Sequence, residues 1–208
     1  MIKHLVIRCF LTSVRHKSYI THMKNIYFAI TGAIGEAKEA IPIITELMKD
    51  YSVHPVVSDY TKTCIKDIID RLSFVTGLDV LSTIAEAERV APMGLSDALV
   101  IYPCTGNTLA KIANAISDST VPYLAKGHMR NNLPVVIGLS TNDALGLNMY
   151  NLARLMNTKN IYFVPLYQDD PEHKPHSLKC DKTKIITTLQ YALENKQIQP
   201  VVISSPDT

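Results

Sequence analysis

No two cysteines of this chain stand in a C-x-x-C spacing: Cys9, Cys64, Cys104 and Cys180 are scattered along 208 residues. That excludes a zinc ribbon, a dithiol redox motif and a dense disulfide framework, and isolated thiols without a secretory signal fit a reducing, cytoplasmic setting. Long apolar runs are missing as well. Leu5-Val6-Ile7 is cut by Arg8 before Cys9-Phe10-Leu11 resumes, which is too short for a secretory core. Nowhere is a run long enough to span a bilayer, so no membrane association is expected. Acidic side chains are absent from residues 1–22, which hold Lys3, Arg8, Arg15 and Lys17. Net charge is +2, yet the remaining residues carry 17 basic and 19 acidic groups. A slightly acidic body speaks against nucleic acid as a partner, because phosphate contacts need clustered cations. The dinucleotide fingerprint is lacking too, since Thr31-Gly32-Ala33-Ile34-Gly35 is not G-x-G-x-x-G. Residues 1–22 read as a disordered basic leader or an upstream start-site extension, 23–202 as one domain and 203–208 as a flexible tail.

What is present is a core and an alternating pattern. Apolar residues make up 47% of the chain. Strands are expected at 26–30, 53–57, 98–102, 134–139 and 161–164. Helices are expected from Glu36 to about Asp50, and over 60–76 with Gly77 as the stop, 123–130, 143–156 and 182–195; residues 78–91 carry no clear signal. Strands alternating with helices imply an α/β, Rossmann-like, doubly wound parallel sheet in three layers. In such sheets ligands bind at the carboxyl ends of the strands. Gly32-Ala33, Ser58, Cys104 to Thr108 and Ser140 to Asn142 all fall at those ends.

The most informative of these loops is Pro103-Cys104-Thr105-Gly106-Asn107-Thr108, which follows the apolar run Ala98 to Tyr102. A strand that ends in small and hydroxyl residues and then turns into a helix makes an anion pocket from the helix's free N–H groups and positive end. Thr105 and Thr108 add hydroxyls, and Asn107 adds an amide suited to the edge of a heteroaromatic ring. Behind it, Asn107, Lys111, Asn114 and Asp118 share one helical face, and Leu109, Ile112, Ala113 and Ile116 the opposite one. The pocket suits a planar cofactor that bears a phosphate. Cys104 reads either as a thiol beside the cofactor or, preferably, as a small filler in a tight turn. Asp59 suits a ribose, but Ser58 beside it suits a phosphate better.

The stretch from Leu95 to Thr108 resembles the strand and Pro-Ala-Ser-Ala-Asn-Thr loop of the flavoprotein family that includes the homo-oligomeric flavin-containing cysteine decarboxylases. Pro103, Thr105, Asn107 and Thr108 match or substitute closely, and Lys111, Ala113 and Asp118 fit the helix behind. Ser140 to Asn148, Asn151 to Met156, Thr158 to Pro165, Gln168-Asp169, Lys174-Pro175 and Gln199 to Val202 extend the likeness to a branch of the family from spore-forming bacteria. The resemblance implies a flavodoxin-like fold holding FMN, with the phosphate on Gly32-Ala33 and Ser58. The isoalloxazine would lie against Cys104 to Thr108 and Ser140, Thr141 and Asn142, with Asn107 and Lys111 as the catalytic candidates. It further implies a homo-oligomer that oxidises a small dicarboxylate, dihydrodipicolinate, to dipicolinate during sporulation. The partner it implies is a second subunit with a nicotinamide-binding domain.

The sequence also departs from the family. The decarboxylases carry a catalytic histidine shortly before the third strand, whereas Glu88 to Leu95 contains none, and their Pro-Ala-Met-Asn clamp is replaced by Leu139-Ser140-Thr141-Asn142. Both changes speak against decarboxylation, which needs a base near the substrate. Decarboxylation of a small carboxylate and a non-catalytic flavin-binding role remain the alternatives. Lys126, His128 and Arg130 are candidates for a carboxylate clamp. His173 and His176 lie in a Pro-rich polar loop that reads as such rather than as a metal site.

Overall fold

Five runs rich in β-branched and aromatic residues pair in parallel, and the helices between them bury both faces of the resulting sheet. The computed structural model describes residues 23–91 and 95–205. The leader expected at 1–22 and the last three residues of the expected tail lie outside the described residues. Strands β1 (Asn25–Ile30), β2 (Ser52–Val57), β3 (Ala98–Cys104), β4 (Val135–Thr141) and β5 (Ile161–Phe163) stand in the order β2-β1-β3-β4-β5. This is the flavodoxin-like order, and it reverses between β1 and β3, where such sheets open a crevice. Ile26, Phe28, Val100 and Ile137, from three of these strands, are fully buried.

The first helical region is divided into α1 (Ile34–Ala37) and α2 (Ala40–Leu47), where the sequence pattern suggests one helix. Pro42 is the reason: it has no N–H for the Lys38 carbonyl, and its ring collides with that carbonyl in a continuous helix. The second region divides into α3 (Asp59–Cys64) and α4 (Ile68–Thr76), with Ile65 extended at φ −120°, ψ 90°. That break sends both Ile65 and Ile68 into the core. Gly77 ends α4 at φ 68°, as expected. Helix α5 (Ile84–Val90) starts from a capping box between Thr83 and Glu86, a T-x-x-E signal that settles the unassigned stretch.

Helices α6 (Gly106–Ala113), α7 (Thr120–Arg130), α8 (Met149–Met156) and α9 (Ile185–Leu193) complete the layers. Helices α2 and α9 pack together on one flank of the sheet, and α5 to α8 pack on the other. Helix α8 begins six residues later than expected, because Asp143 to Asn148 form turns tied by Asn148 Nδ2 donating to Asp143 Oδ2 over 2.8 Å. Two short strands, β6 (Leu166–Tyr167) and β7 (Leu178–Cys180), carry no readable periodicity. They form an antiparallel annex on the end of β4, where Lys179 faces Ser140 and Leu178 faces Thr141. At the outer edge of β5, the Gln197 amide accepts from the Phe163 N–H over 2.8 Å and donates to the Phe163 carbonyl over 2.7 Å.

Candidate functional site

At the switch point β1 and β3 end side by side and are joined by one buried side chain. Thr31 Oγ1 donates to the Pro103 carbonyl over 2.7 Å and accepts from the Thr105 N–H over 3.0 Å. Thr105 then caps α6: its hydroxyl accepts from the Thr108 N–H over 3.4 Å and lies 3.1 Å from the Thr108 hydroxyl. The first turn of α6, with its positive end, therefore starts at a fixed place beside the β1 turn.

A cleft of about 420 Å³ opens there. Helix α6 contributes Thr105, Asn107, Thr108 and Lys111, and the β1 turn contributes Gly32. The end of β2 and the start of α3 supply Ser58, Asp59 and Tyr60, while Ser119, Val121 and Pro122 close the far side at the start of α7. Lys111 Nζ donates to Asp118 Oδ1 over 2.8 Å, and the Ser119 hydroxyl donates to the same oxygen over 3.3 Å. The Lys111 ammonium holds the Asp118 carboxyl below its usual range. Ser58 caps α3, accepting from the Thr61 N–H over 3.2 Å. Tyr60 lies against Gly32: a Cβ at residue 32 would stand 2.5 Å from Tyr60 Cδ1.

Of the residues singled out in the sequence, the structure brings together Gly32, Ser58, Thr105, Asn107, Thr108 and Lys111. Ala33, Cys104, Gly106, Ser140, Thr141 and Asn142 are not among the lining residues of this cleft. Cys104 is fully buried, and burial pushes its thiol up to about 12, so it is the filler of the turn. Gly106 lets β4 close on α6, since a Cβ there would meet Thr141 Oγ1 at 2.6 Å and Asn148 Nδ2 at 2.8 Å. Ser140 faces a second cleft of about 240 Å³ between α1, α2 and β7, where its hydroxyl donates to Glu36. Glu36 also pairs with Lys179 at 2.8 Å, and Glu39 with Lys182 at 2.8 Å.

The expected polar stripe of α6 ends at Lys111. Asn114 caps the helix and turns to α8, where its Oδ1 accepts from Arg154 Nη1 over 3.1 Å. Ile116, expected on the buried face, is 47% exposed beyond the helix end.

The sequence profile of the Flavoprotein family matches residues 14–190. The chain belongs to the flavoprotein family. It is 40% identical over 189 residues to the B subunit of dipicolinate synthase from Bacillus subtilis, covering 88% of this chain and 94% of that protein. The crystal structure of the B subunit of dipicolinate synthase from Bacillus halodurans superposes with a TM-score of 0.80 at 39% identity, over 86% of this chain and 96% of that one. The FMN-dependent cysteine decarboxylase SpaF shares the fold, with a TM-score of 0.60 at 21% identity, over 81% of this chain and 97% of that one.

In this flavoprotein the candidate carboxylate clamp on α7 does not assemble. His128 is 4% exposed, with Nδ1 2.8 Å from the Leu124 carbonyl and Nε2 2.9 Å from the Ser96 hydroxyl. The carbonyl only accepts, so Nδ1 carries a proton. Burial lowers the pKa of His128, and the Leu124 bond raises it by less. Lys126 instead donates to Ser117 over 3.3 Å. His173 pairs with Asp170 at 3.0 Å, and no group of three or more metal-ligating side chains occurs among the described residues. No helix among them is long and apolar enough to cross a membrane.

Tyr60, Ser119, Val121 and Pro122 escape a reading of the sequence, and Asp59 ranks there behind Ser58. A signal for Ser119 exists. Pro122 sits in the first turn of α7, where proline is tolerated, and reading it so makes Ser119 the N-cap and starts the helix at Thr120 instead of Tyr123.

Proposed function

We propose that this chain is the FMN-binding subunit of a dipicolinate synthase and oxidises dihydrodipicolinate to dipicolinate in the 420 Å³ cleft. The observation that carries the reading is the convergence of Gly32, Ser58, Thr105, Asn107, Thr108 and Lys111 on one cleft at the β1–β3 switch point, in a chain 40% identical to the B subunit of dipicolinate synthase. The donor set fits FMN. Hydroxyls, a helix N-terminus and a glycine turn suit a phosphate, and the cleft falls within the roughly 300–1,000 Å³ of small-molecule sites. Gly32 and Ser58 would hold the phosphate, and Thr105, Asn107 and Thr108 would face the ring system. FMN supplies a hydride acceptor when bound.

The oxidation removes a hydride and a proton from the dihydropyridine ring and leaves an aromatic one. The chain's own residues orient the reactants. Lys111, held by Asp118, attracts one substrate carboxylate, and Asn107 hydrogen-bonds at the edge of a planar ring. Val121 and Pro122 give an apolar wall that keeps water away. The same reading has the protein work in the cytoplasm during sporulation, self-associate, and partner the nicotinamide-binding A subunit of the synthase.

The test is to load the purified protein with FMN, add dihydrodipicolinate without oxygen, and follow flavin absorbance with and without the partner. Bleaching by this chain on its own is the expected result. Bleaching only with the partner points to a flavin-holding role. Release of carbon dioxide points to decarboxylation, and failure to retain FMN overturns the proposal.

A further inference from the structure

We propose that Tyr60 is a gate over the Gly32 end of the cleft, which turns aside to let a ligand's phosphate reach the turn after β1. The inference rests on the flavin reading above and adds a moving part to it. Its first support is steric. A Cβ at Gly32 would lie 2.5 Å from Tyr60 Cδ1 and 3.0 Å from Cε1, so the phenol ring already covers the glycine backbone. A phosphate seated on that backbone needs the same space.

The second support is how loosely the ring is held. Tyr60 is 60% exposed, and among the described residues Gly32 is the one glycine whose added Cβ would meet it. It stands at the second position of α3. Exposure of that extent leaves the ring room to turn away from Gly32.

An exposed side chain changes rotamer within picoseconds to nanoseconds, far faster than a ligand arrives. Such a gate therefore acts through the fraction of time it stands open, and the apparent dissociation constant is the intrinsic one divided by that fraction. Removing the ring removes the penalty for a ligand that needs the Gly32 seat. A ligand without a phosphate is indifferent to it.

Equilibrium titration of the full chain with FMN and with riboflavin, followed by quenching of flavin fluorescence, tests this. In Tyr60→Ala, FMN affinity should rise about three- to tenfold, the range expected if the open state is a minority, while riboflavin affinity stays unchanged. Tyr60→Phe keeps the ring over Gly32 and should leave FMN affinity unchanged; a gain as large as that of Tyr60→Ala overturns the steric account. Unchanged or weaker FMN binding in Tyr60→Ala overturns the gate but leaves the flavin site standing. An equal gain for both flavins overturns the claim that the phosphate end is guarded. If the unaltered chain binds neither flavin, the flavin reading falls and the gate with it.

Discussion

Thr31 and Thr105 meet at the point where the sheet changes direction: the Thr105 N–H donates to Thr31 Oγ1 over 3.0 Å, while the same hydroxyl donates to Pro103. One buried hydroxyl therefore sets where β1 stops, where β3 stops and where α6 begins. Thr31→Val keeps the shape and leaves the Thr105 N–H without that partner, which should cost about 1–3 kcal/mol. Thr31→Ser should recover most of it. Urea unfolding of the three proteins checks the order.

Among the described residues, Lys111 is the one cation that lines the main cleft. Its pair with Asp118 is half-exposed, so Lys111→Met should change stability by less than about 1 kcal/mol. If it binds a substrate carboxylate as proposed, the same change should weaken dihydrodipicolinate binding by about tenfold or more and leave FMN retention intact. Calorimetry on the FMN-loaded protein separates the two effects.

Buried His128 makes folding sensitive to acid. Its unfolded imidazole takes up a proton near 6.5, and burial delays that uptake to lower pH in the folded protein. Between the two values the unfolded chain binds more protons, so stability is full above about 6.5 and falls as the pH drops through it. His54, also lowered by burial, acts in the same direction. His128→Gln should flatten the dependence of the denaturation midpoint between about pH 5 and 7.

Gly106 is required by contact rather than by backbone angle. Gly106→Ala forces a methyl group against Thr141 and Asn148 and should destabilise by about 1–3 kcal/mol. Adding Thr141→Ala should restore part of that in thermal melts. Recovery to the full unaltered value would mean that Asn148 does not contribute.

Among the cysteines of the described residues, Cys64 is exposed while Cys104 and Cys180 are buried, and burial pushes both buried thiols up. Iodoacetamide on the folded protein should therefore modify Cys64 and spare the other two, as read by peptide mass spectrometry. Unfolding should expose all three.

The sheet was legible because most of its parallel strands are apolar runs bounded by small residues, with His54 interrupting β2, and the loop after β3 because its hydroxyls follow such a run directly. Half of the expected site residues reach the cleft. The others lie nearby in sequence, but sequence does not show which flank of β4 a residue faces. Ser140 illustrates this: β7, a strand of three residues, brings Lys179 to Glu36 and draws Ser140 to the other side. Tyr60 stayed hidden for a different reason. An exposed aromatic in a short helix carries no periodic signal, and its relation to Gly32 exists only in three dimensions.

The two hydrogen bonds from Gln197 to Phe163 bear on solubility. A parallel sheet that ends in a three-residue strand offers its last backbone groups to any passing chain. Here a side-chain amide imitates the missing neighbour and occupies those groups. The border of the sheet is thus sealed by a single residue from the C-terminal segment, and losing it would turn a closed margin into a sticky one.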